Sequence, residues 1–215
     1  MRFSSIRIAV AGAALALAGA AQADVIVTDS QYGNVDGIVI ARYLDVTQHG
    51  NISNVSVSVD FSKCDDPPIG PAGSQCIGEG IPYANEIGIW LTGPDGTTVR
   101  LVPLDYYDQD SGGRVTVNFA DGAPVLGTAM QSGTFSMPLD TFSEYAGLDM
   151  FGTWTLTLQD SSFGDPLEYL GARLVINGGG DQPPPSSVPE PGSVALVGLG
   201  LAGLAARSRK RGRAV

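Results

Sequence analysis

The sequence predicts an all-β protein, an antiparallel β-sandwich or jelly roll, and three observations favour that fold class. Glycine and proline, with 29 and 14 residues, make up a fifth of the 215-residue chain, well above their usual share, which indicates many turns. Apolar residues alternate with polar ones in one short segment after another. No segment has the apolar spacing that is typical of an amphipathic helix.

Seven short segments carry the alternation that a sheet with one buried face requires. In the segment 54–61, three valines and Phe61 share one face and polar residues occupy the other. The sequence Gly93-Pro94-Asp95-Gly96 between two of these segments is a strong turn signal. Two sheets bury their apolar faces on each other, which gives a sandwich. The predicted strands are 37–46, 54–61, 87–91, 99–101, 115–119, 154–158 and 170–176. In the last strand, the residues placed on one side are Leu170, Ala172, Leu174 and Ile176.

Acidic residues dominate the central part of the chain. The whole sequence has 22 Asp and Glu against 12 Lys and Arg, a formal net charge of -10. Residues 24–188 hold 21 of the acids and five of the basic residues, so this segment carries a net charge of -16. Such a segment repels polyanions at long range, which excludes nucleic acid as a partner.

The segment 1–23 is predicted to be a signal peptide. Arg2 and Arg7 form a positively charged start, and an apolar stretch, 8–20, follows. Small residues at Ala21 and Ala23 then occupy the positions that a signal peptidase recognises. Cleavage after Ala23 would leave Asp24 as the first residue. The alternative is a short buried helix that stays attached to the domain.

The C-terminal region has four parts in a fixed order. A Gly- and Pro-rich segment, 178–187, is predicted to be a linker, and Val188-Pro189-Glu190-Pro191 follows it. The apolar segment 192–206 is predicted to be a membrane-spanning helix, lengthened by flanking side chains that reach the membrane surface. A basic cluster that should stay in the cytoplasm comes last. It consists of Arg207, Arg209, Lys210, Arg211 and Arg213.

The segment 188–215 resembles the PEP-CTERM sorting signal of Gram-negative bacteria. The resemblance implies an exported precursor that is tethered in the inner membrane and cut near Pro-Glu-Pro by exosortase, a membrane enzyme similar to a transpeptidase. It also implies a final location at the cell surface or in an extracellular polysaccharide matrix, with the polysaccharide as a partner. A plain membrane anchor with a chance Pro-Glu-Pro is the alternative, and both place the segment 24–177 outside the cytoplasm.

A second resemblance lies within the segment 24–177, the predicted sandwich domain. Residues 85–97 are similar to the strand, proline turn and strand of the P-domain, which accompanies proprotein convertases and many bacterial subtilisin-like proteases. The segment 152–160 and the final strand are similar to the end of the same domain. The resemblance implies a β-sandwich, and it raises the alternative of a protease-accessory role.

The chain has two cysteines, Cys64 and Cys76, separated by 11 residues of a polar loop. In an exported protein, two thiols on one loop most often form a disulfide bond. We predict a disulfide here, and a reactive thiol or a metal site is the alternative.

Acidic residues also cluster in two predicted loops. Asp105, Asp108 and Asp110 lie in one of them, and Asp160 and Asp165 bracket the other. Solvated loop charge, which keeps an exported protein soluble, is the interpretation that we favour, so we expect no metal and no other cofactor. Calcium prefers several oxygen ligands, so a calcium site formed by these carboxylates is the alternative.

The sequence offers few groups for catalysis. Its one histidine, His49, lies in a turn-like stretch, and no Gly-x-Ser-x-Gly motif occurs. Trp90, Tyr106 and Tyr107 are aromatic residues that could stack on sugar rings or could pack within the domain. We therefore expect a non-catalytic module with a structural or adhesive role. The alternative is a secreted hydrolase that uses carboxylates, or a protease-accessory module.

Overall fold

Two β-sheets form the protein in the computed structural model, which describes residues 24–65, 81–108 and 112–178. The only helical elements in these ranges are two short 3-10 segments, Ala84–Glu86 and Phe142–Tyr145. The predicted all-β class is confirmed, and most neighbouring strands are antiparallel.

Six strands form the larger sheet. They are β1 (Val25–Asp29), β2 (Gly33–Val35), β4 (Ile52–Lys63), β7 (Gly113–Ala120), β8 (Gly133–Phe135) and β10 (Leu167–Gly178). Their order is β1-β10-β4-β7-β8, and β2 pairs with the start of β10. The β7–β8 pair is parallel and the other pairs are antiparallel.

Four antiparallel strands form the smaller sheet. They are β3 (Val39–Val46), β5 (Ile87–Thr92), β6 (Thr98–Val102) and β9 (Gly152–Asp160), in the order β3-β9-β5-β6. The predicted proline turn joins β5 to β6, where Gly93 N donates to the carbonyl of Thr97 at 2.8 Å. This hydrogen bond closes the hairpin and fixes which side chains face each other across it.

The core lies between the two sheets. Every second residue of β4 from Val55 to Phe61 is buried, as the alternation predicts, and so are the apolar residues of β5 and β9 that face them. These side chains belong to one hydrophobic cluster that includes residues from both sheets. Burial of each large apolar side chain contributes about 1.5–3 kcal/mol, so this shared face is the main source of stability.

Aromatic side chains fill one end of the core and satisfy their polar atoms within it. Trp154 packs edge-on against Tyr145, with ring centroids 4.8 Å apart. The indole N–H of Trp154 donates to the carbonyl of Met150 at 3.0 Å, and the Tyr145 hydroxyl donates to the carbonyl of Leu91 at 2.6 Å. A buried Tyr or Trp needs such partners, because an unpaired polar group in the core destabilises the fold.

All seven predicted strands are present, but one predicted face is wrong. Leu170 is only half-buried, whereas Tyr169 is fully buried. The reason is an irregularity in the pairing of β10 with β4 between Tyr169 and Gly171, which changes the register by one residue. Simple alternation therefore holds from Ala172 onward and fails before it. The sequence also did not predict β1, β2 and β8.

Candidate functional site

A buried ammonium group lies at the end of the sandwich where β4 ends. Lys63 is the last residue of β4 and is completely buried. Its Nζ donates to Oε2 of Glu86 at 2.7 Å and to Oδ2 of Asp160 at 2.8 Å, and it also donates to the backbone carbonyl of Asp165. Burial raises the pKa of Asp160 to about 6, although the neighbouring ammonium acts in the opposite direction. Burial likewise raises the pKa of the Asp165 carboxyl.

Lys63 changes the interpretation of two candidate calcium ligands. Asp160 contacts the ammonium of Lys63 through its carboxylate, whereas Asp165 contacts it through its backbone carbonyl. The carboxylate of Asp165 accepts instead from the backbone N–H of Tyr83 at 2.9 Å. A cation is therefore already supplied by the chain at this position. Within the described ranges, no group of three acidic, His or Cys side chains is arranged to hold a metal ion. The sequence did contain one sign that Lys63 is buried. Lys63 lies at the next inward-facing position after Phe61 in the alternation of β4.

The other acidic loop lies beside an open recess of about 390 Å³. Asp105 and Asp108 line this recess together with Tyr83, Asn85 and Tyr107, and Asp110 lies outside the described residues. Tyr107 is 1% exposed, and its hydroxyl has no hydrogen-bond partner. Burial raises the pKa of that hydroxyl well above its usual range.

The two tyrosines do not form a surface on which a sugar could stack. Tyr107 is buried in the core cluster. Tyr106 is half-buried, and its hydroxyl donates to the carbonyl of Leu126. The stacking hypothesis is therefore wrong for Tyr107, because its ring is buried among the core side chains.

His49 lies on an exposed turn, as the sequence predicts, and it is paired with a carboxylate. Its Nδ1 is 2.8 Å from Oδ2 of Asp149, and its ring stacks on Phe151 with centroids 4.0 Å apart. The other carboxylate oxygen accepts from the backbone N–H groups of Gly50 and Phe151. These bonds lower the pKa of Asp149 to about 2. No hydroxyl or thiol of the described residues bonds to His49, and the contacts that are present hold two turns together.

The outer face of the smaller sheet carries two aromatic side chains among threonines. We call this surface the threonine face. Tyr43 and Thr155 pair across β3 and β9, Thr155 pairs with Thr92, and Thr92 pairs with Thr98. In the next row, Thr157 of β9 pairs with Trp90 of β5. The surface is thus defined by Tyr43, Trp90, Thr92, Thr98, Thr155 and Thr157.

The two aromatic side chains of the threonine face are presented differently. Tyr43 is 66% exposed. Trp90 is partly exposed and lies over Gly88, because a Cβ atom added to Gly88 would be 2.4 Å from Cη2 of the indole. Glycine at position 88 therefore allows the indole to lie close against the sheet. Sequence alternation placed Trp90 on this outer face, but it did not reveal the role of Gly88 or of Tyr43.

The predicted processing residues lie outside the described part of the chain. They comprise Ala21, Ala23, the Val188–Pro191 motif and the basic cluster from Arg207 to Arg213. In the described ranges, no helix is both long and apolar enough to span a bilayer, and the predicted spanning segment 192–206 is not among those residues.

Cys64 is buried at the end of β4, whereas Cys76 also lies outside the described residues, so the disulfide stays a prediction.

Comparison with known protein families confirms the sorting signal. The PEP-CTERM protein-sorting motif matches residues 187–210, which includes Pro189-Glu190-Pro191 and part of the basic cluster. This signal implies an exported, membrane-anchored precursor that is processed by an exosortase-type membrane enzyme. No curated protein has detectable similarity to the chain.

Several solved structures resemble the chain at low sequence identity. The crystal structure of FLHE is 12% identical with a TM-score of 0.37, and the match covers 73% of this chain and 98% of that one. A serine protease of Aeromonas sobria is 12% identical with a TM-score of 0.35, over 72% of this chain. The same protease in complex with its chaperone is 13% identical with a TM-score of 0.37, over 73% of this chain. The chain spans only 27% of the protease length.

Proposed function

We propose that this protein is a non-catalytic adhesive module that associates with extracellular polysaccharide through its threonine face. The sorting motif at residues 187–210 supports a place of action outside the cytoplasm. The fold supports a scaffold role, because two sheets with one continuous core hold their outer faces rigidly.

The observation that carries the proposal is the placement of Tyr43 and Trp90 on the same outer face of the smaller sheet. They lie on β3 and β5 with β9 between them, which separates the strands by roughly 10 Å at the usual spacing. Aromatic faces pack against the C–H faces of sugar rings, and threonine hydroxyls can donate to and accept from sugar hydroxyls. Arg100 pairs with Trp90 across β5 and β6, and its guanidinium is already bound to both carboxylate oxygens of Asp140. The threonine face therefore suits a neutral part of a polysaccharide.

Cosedimentation with the producing cell's own purified, insoluble extracellular polysaccharide tests this proposal. The exported, processed protein should sediment with the polysaccharide, and the double variant Tyr43→Ala, Trp90→Ala should sediment clearly less. Phe163→Ala is the matched control, because Phe163 is also an exposed aromatic residue, 78% accessible, but lies in the loop after β9. Equal sedimentation of the wild type and the double variant would reject the threonine face as the binding surface.

The same samples separate adhesion from hydrolysis. An adhesive module should leave the polysaccharide intact, so the number of reducing ends should stay constant during the incubation. A carboxylate-based hydrolase should instead generate reducing ends, and replacement of one carboxylate, such as Asp105→Asn in the open recess, should abolish that turnover. The second result would replace the adhesive proposal with the hydrolase alternative.

A further inference from the structure

The outer face of the larger sheet contains a straight row of polar side chains, one from each of five strands. Thr28 pairs with Arg173, Arg173 pairs with Ser58, Ser58 pairs with Asn118, and Asn118 pairs with Thr134. The row therefore crosses β1, β10, β4, β7 and β8 in that order. At the usual strand spacing it extends over roughly 19 Å. We call these five residues the arginine row.

Arg173 differs from the other basic residues of the domain. Arg100 is bound to Asp140, and Arg114 is bound to Asp60. Lys63 is buried among carboxylates, and Arg42 contacts Asp29 and lies over the ring of Tyr169. Arg173 alone has neither an ion pair nor a hydrogen bond within the described residues, and it is exposed.

An acid on the same face, Asp60, is already paired with another arginine. Asp60 lies on β4 two residues from Ser58, and both of its carboxylate oxygens accept from the Arg114 guanidinium, at 3.0 and 2.6 Å. On this face, Arg114 is therefore fully paired with Asp60, whereas Arg173 has no partner within the described residues. The guanidinium of Arg173 is a planar donor that matches a carboxylate in two parallel hydrogen bonds.

A shallow recess lies along the arginine row. It has a volume of about 180 Å³, and Arg173, Ser58, Asn118 and Thr134 line it together with Ser56 and Val175. That volume holds on the order of ten water molecules, so it is large enough for one sugar ring. Apart from the guanidinium, its polar groups are hydroxyls and an amide, which exchange hydrogen bonds with neutral hydroxyl groups.

We propose that the arginine row binds a polysaccharide segment that carries a carboxylate, a sugar acid, at the position of Arg173. A single unpaired guanidinium on a domain with an excess of acids suits a polymer with occasional carboxylates and many neutral hydroxyls. A nucleic acid has one charge on every phosphate and would be repelled by the rest of the domain. This inference rests on the proposed function and names the kind of polysaccharide involved.

The arginine row and the threonine face lie on different sheets of the sandwich. The two sheets pack through one core, so the arginine row and the threonine face point away from each other on opposite sides of the sandwich. One molecule could then hold two polysaccharide segments at once. Two weak sites on a rigid body raise the overall strength of attachment to a matrix, because the second site binds at a high effective concentration.

Affinity electrophoresis of the processed protein in native gels tests the inference. Three polymers serve as probes: polygalacturonate in which most carboxylates are methyl-esterified, so that the free ones are sparse (called polygalacturonate below), its fully methyl-esterified form, and poly-glutamate. Polygalacturonate should retard the wild type, and Arg173→Ala should weaken that binding by at least about tenfold, as expected for the loss of a charge-assisted pair of hydrogen bonds. Arg173→Lys should restore it only in part, because an ammonium lacks the planar pair of donors. Arg114→Ala is the control on the same face and should change binding by much less.

The fully esterified polymer and poly-glutamate define the specificity. The fully esterified polymer keeps the hydroxyls and loses the charge, so it should bind weakly and equally to the wild type and Arg173→Ala. Equal retardation of these two proteins by polygalacturonate would overturn the inference, and so would the absence of any retardation of the wild type. Retardation by poly-glutamate as strong as by polygalacturonate would identify a general anion site and would also overturn it. Trp90→Ala, which removes an aromatic side chain of the threonine face, should not change binding to polygalacturonate at the arginine row. This inference and the adhesive proposal can therefore fail separately.

Discussion

The ammonium of Lys63 lies 2.8 Å from Oδ2 of Asp160, and neither side chain is exposed to solvent. Lys63 ends β4 in the larger sheet and Asp160 ends β9 in the smaller one. The ion pair therefore joins the two sheets at the end of the sandwich next to Cys64. A buried pair of this kind often contributes little net stability relative to apolar residues, but removal of one partner leaves an uncompensated charge in the core.

Removal of the lysine should strongly destabilise the domain. For Lys63→Ala we expect the free energy of unfolding to fall by about 3–5 kcal/mol, because Asp160 loses its buried partner. Urea unfolding followed by tryptophan fluorescence measures the change. Arg114→Ala, which removes an exposed ion pair, should cost about 0.2–1 kcal/mol. Similar losses for the two variants would show that the buried cluster does not hold the sheets together.

Asp149 should contribute to stability at neutral pH and lose that contribution in acid. Its pKa in the folded protein is about 2, below the ordinary value of 3.8. A carboxyl whose pKa is lowered by folding stabilises the folded state above its unfolded pKa, and this stabilisation disappears as the pH falls from 3.8 toward 2. The first cause of the shift is the bond to His49, so His49→Ala should raise the pKa of Asp149 toward 3.8. Titration of the Asp149 carboxyl carbon by NMR measures the midpoint, and an unchanged midpoint in the variant would contradict the assignment.

A side chain at position 88 should displace the indole of Trp90. A Cβ atom on Gly88 would lie 2.4 Å from Cη2 of Trp90, so Gly88→Ala requires the ring to move away from the sheet. We expect Trp90 to become more accessible to acrylamide in fluorescence quenching, while the buried Trp154 stays protected. Binding to the matrix polysaccharide should fall as well. Gly127→Ala is the control, since a Cβ there meets its nearest atom at an ordinary 3.5 Å. Unchanged quenching in Gly88→Ala would show that the indole is not held in this position.

The two cysteines should be oxidised in the exported protein. Mass spectrometry of the peptides that contain Cys64 and Cys76 should find them joined, with two hydrogens missing. Closure of a loop of this length contributes about 2–3 kcal/mol, so Cys64→Ser should lower the free energy of unfolding by an amount of that order. Quantitative labelling of both thiols in the unreduced, unfolded protein would exclude the disulfide.

Local pattern was enough to predict the long strands, because a sheet with one buried face imposes alternation on the sequence. The alternation of β4 even places Lys63 among the inward-facing residues, although the pattern alone gives no reason for a buried lysine. Its partners could not be predicted, since Glu86 and Asp160 are 23 and 97 residues away along the chain. β2 and β8 were missed because three residues are too few to display a period.

The candidate surfaces were harder to predict than the fold. Tyr106 and Tyr107 are adjacent in the sequence, yet one is half-buried and the other lies in the core. The arginine row depends on the register between strands that are distant in the sequence, and only the pairing reveals that Arg173 lies beside Ser58. A count of charges likewise does not show that Asp60 forms its ion pair with Arg114 and not with Arg173.

Intact-mass measurement of the protein from separated cell fractions shows whether this sandwich is exported and processed at both ends. We expect the extracellular fraction to contain a chain that begins at Asp24 and ends near the Pro189–Pro191 motif. Recovery of the whole 215-residue chain from the cytosol, with both ends uncut and both thiols free, would contradict it.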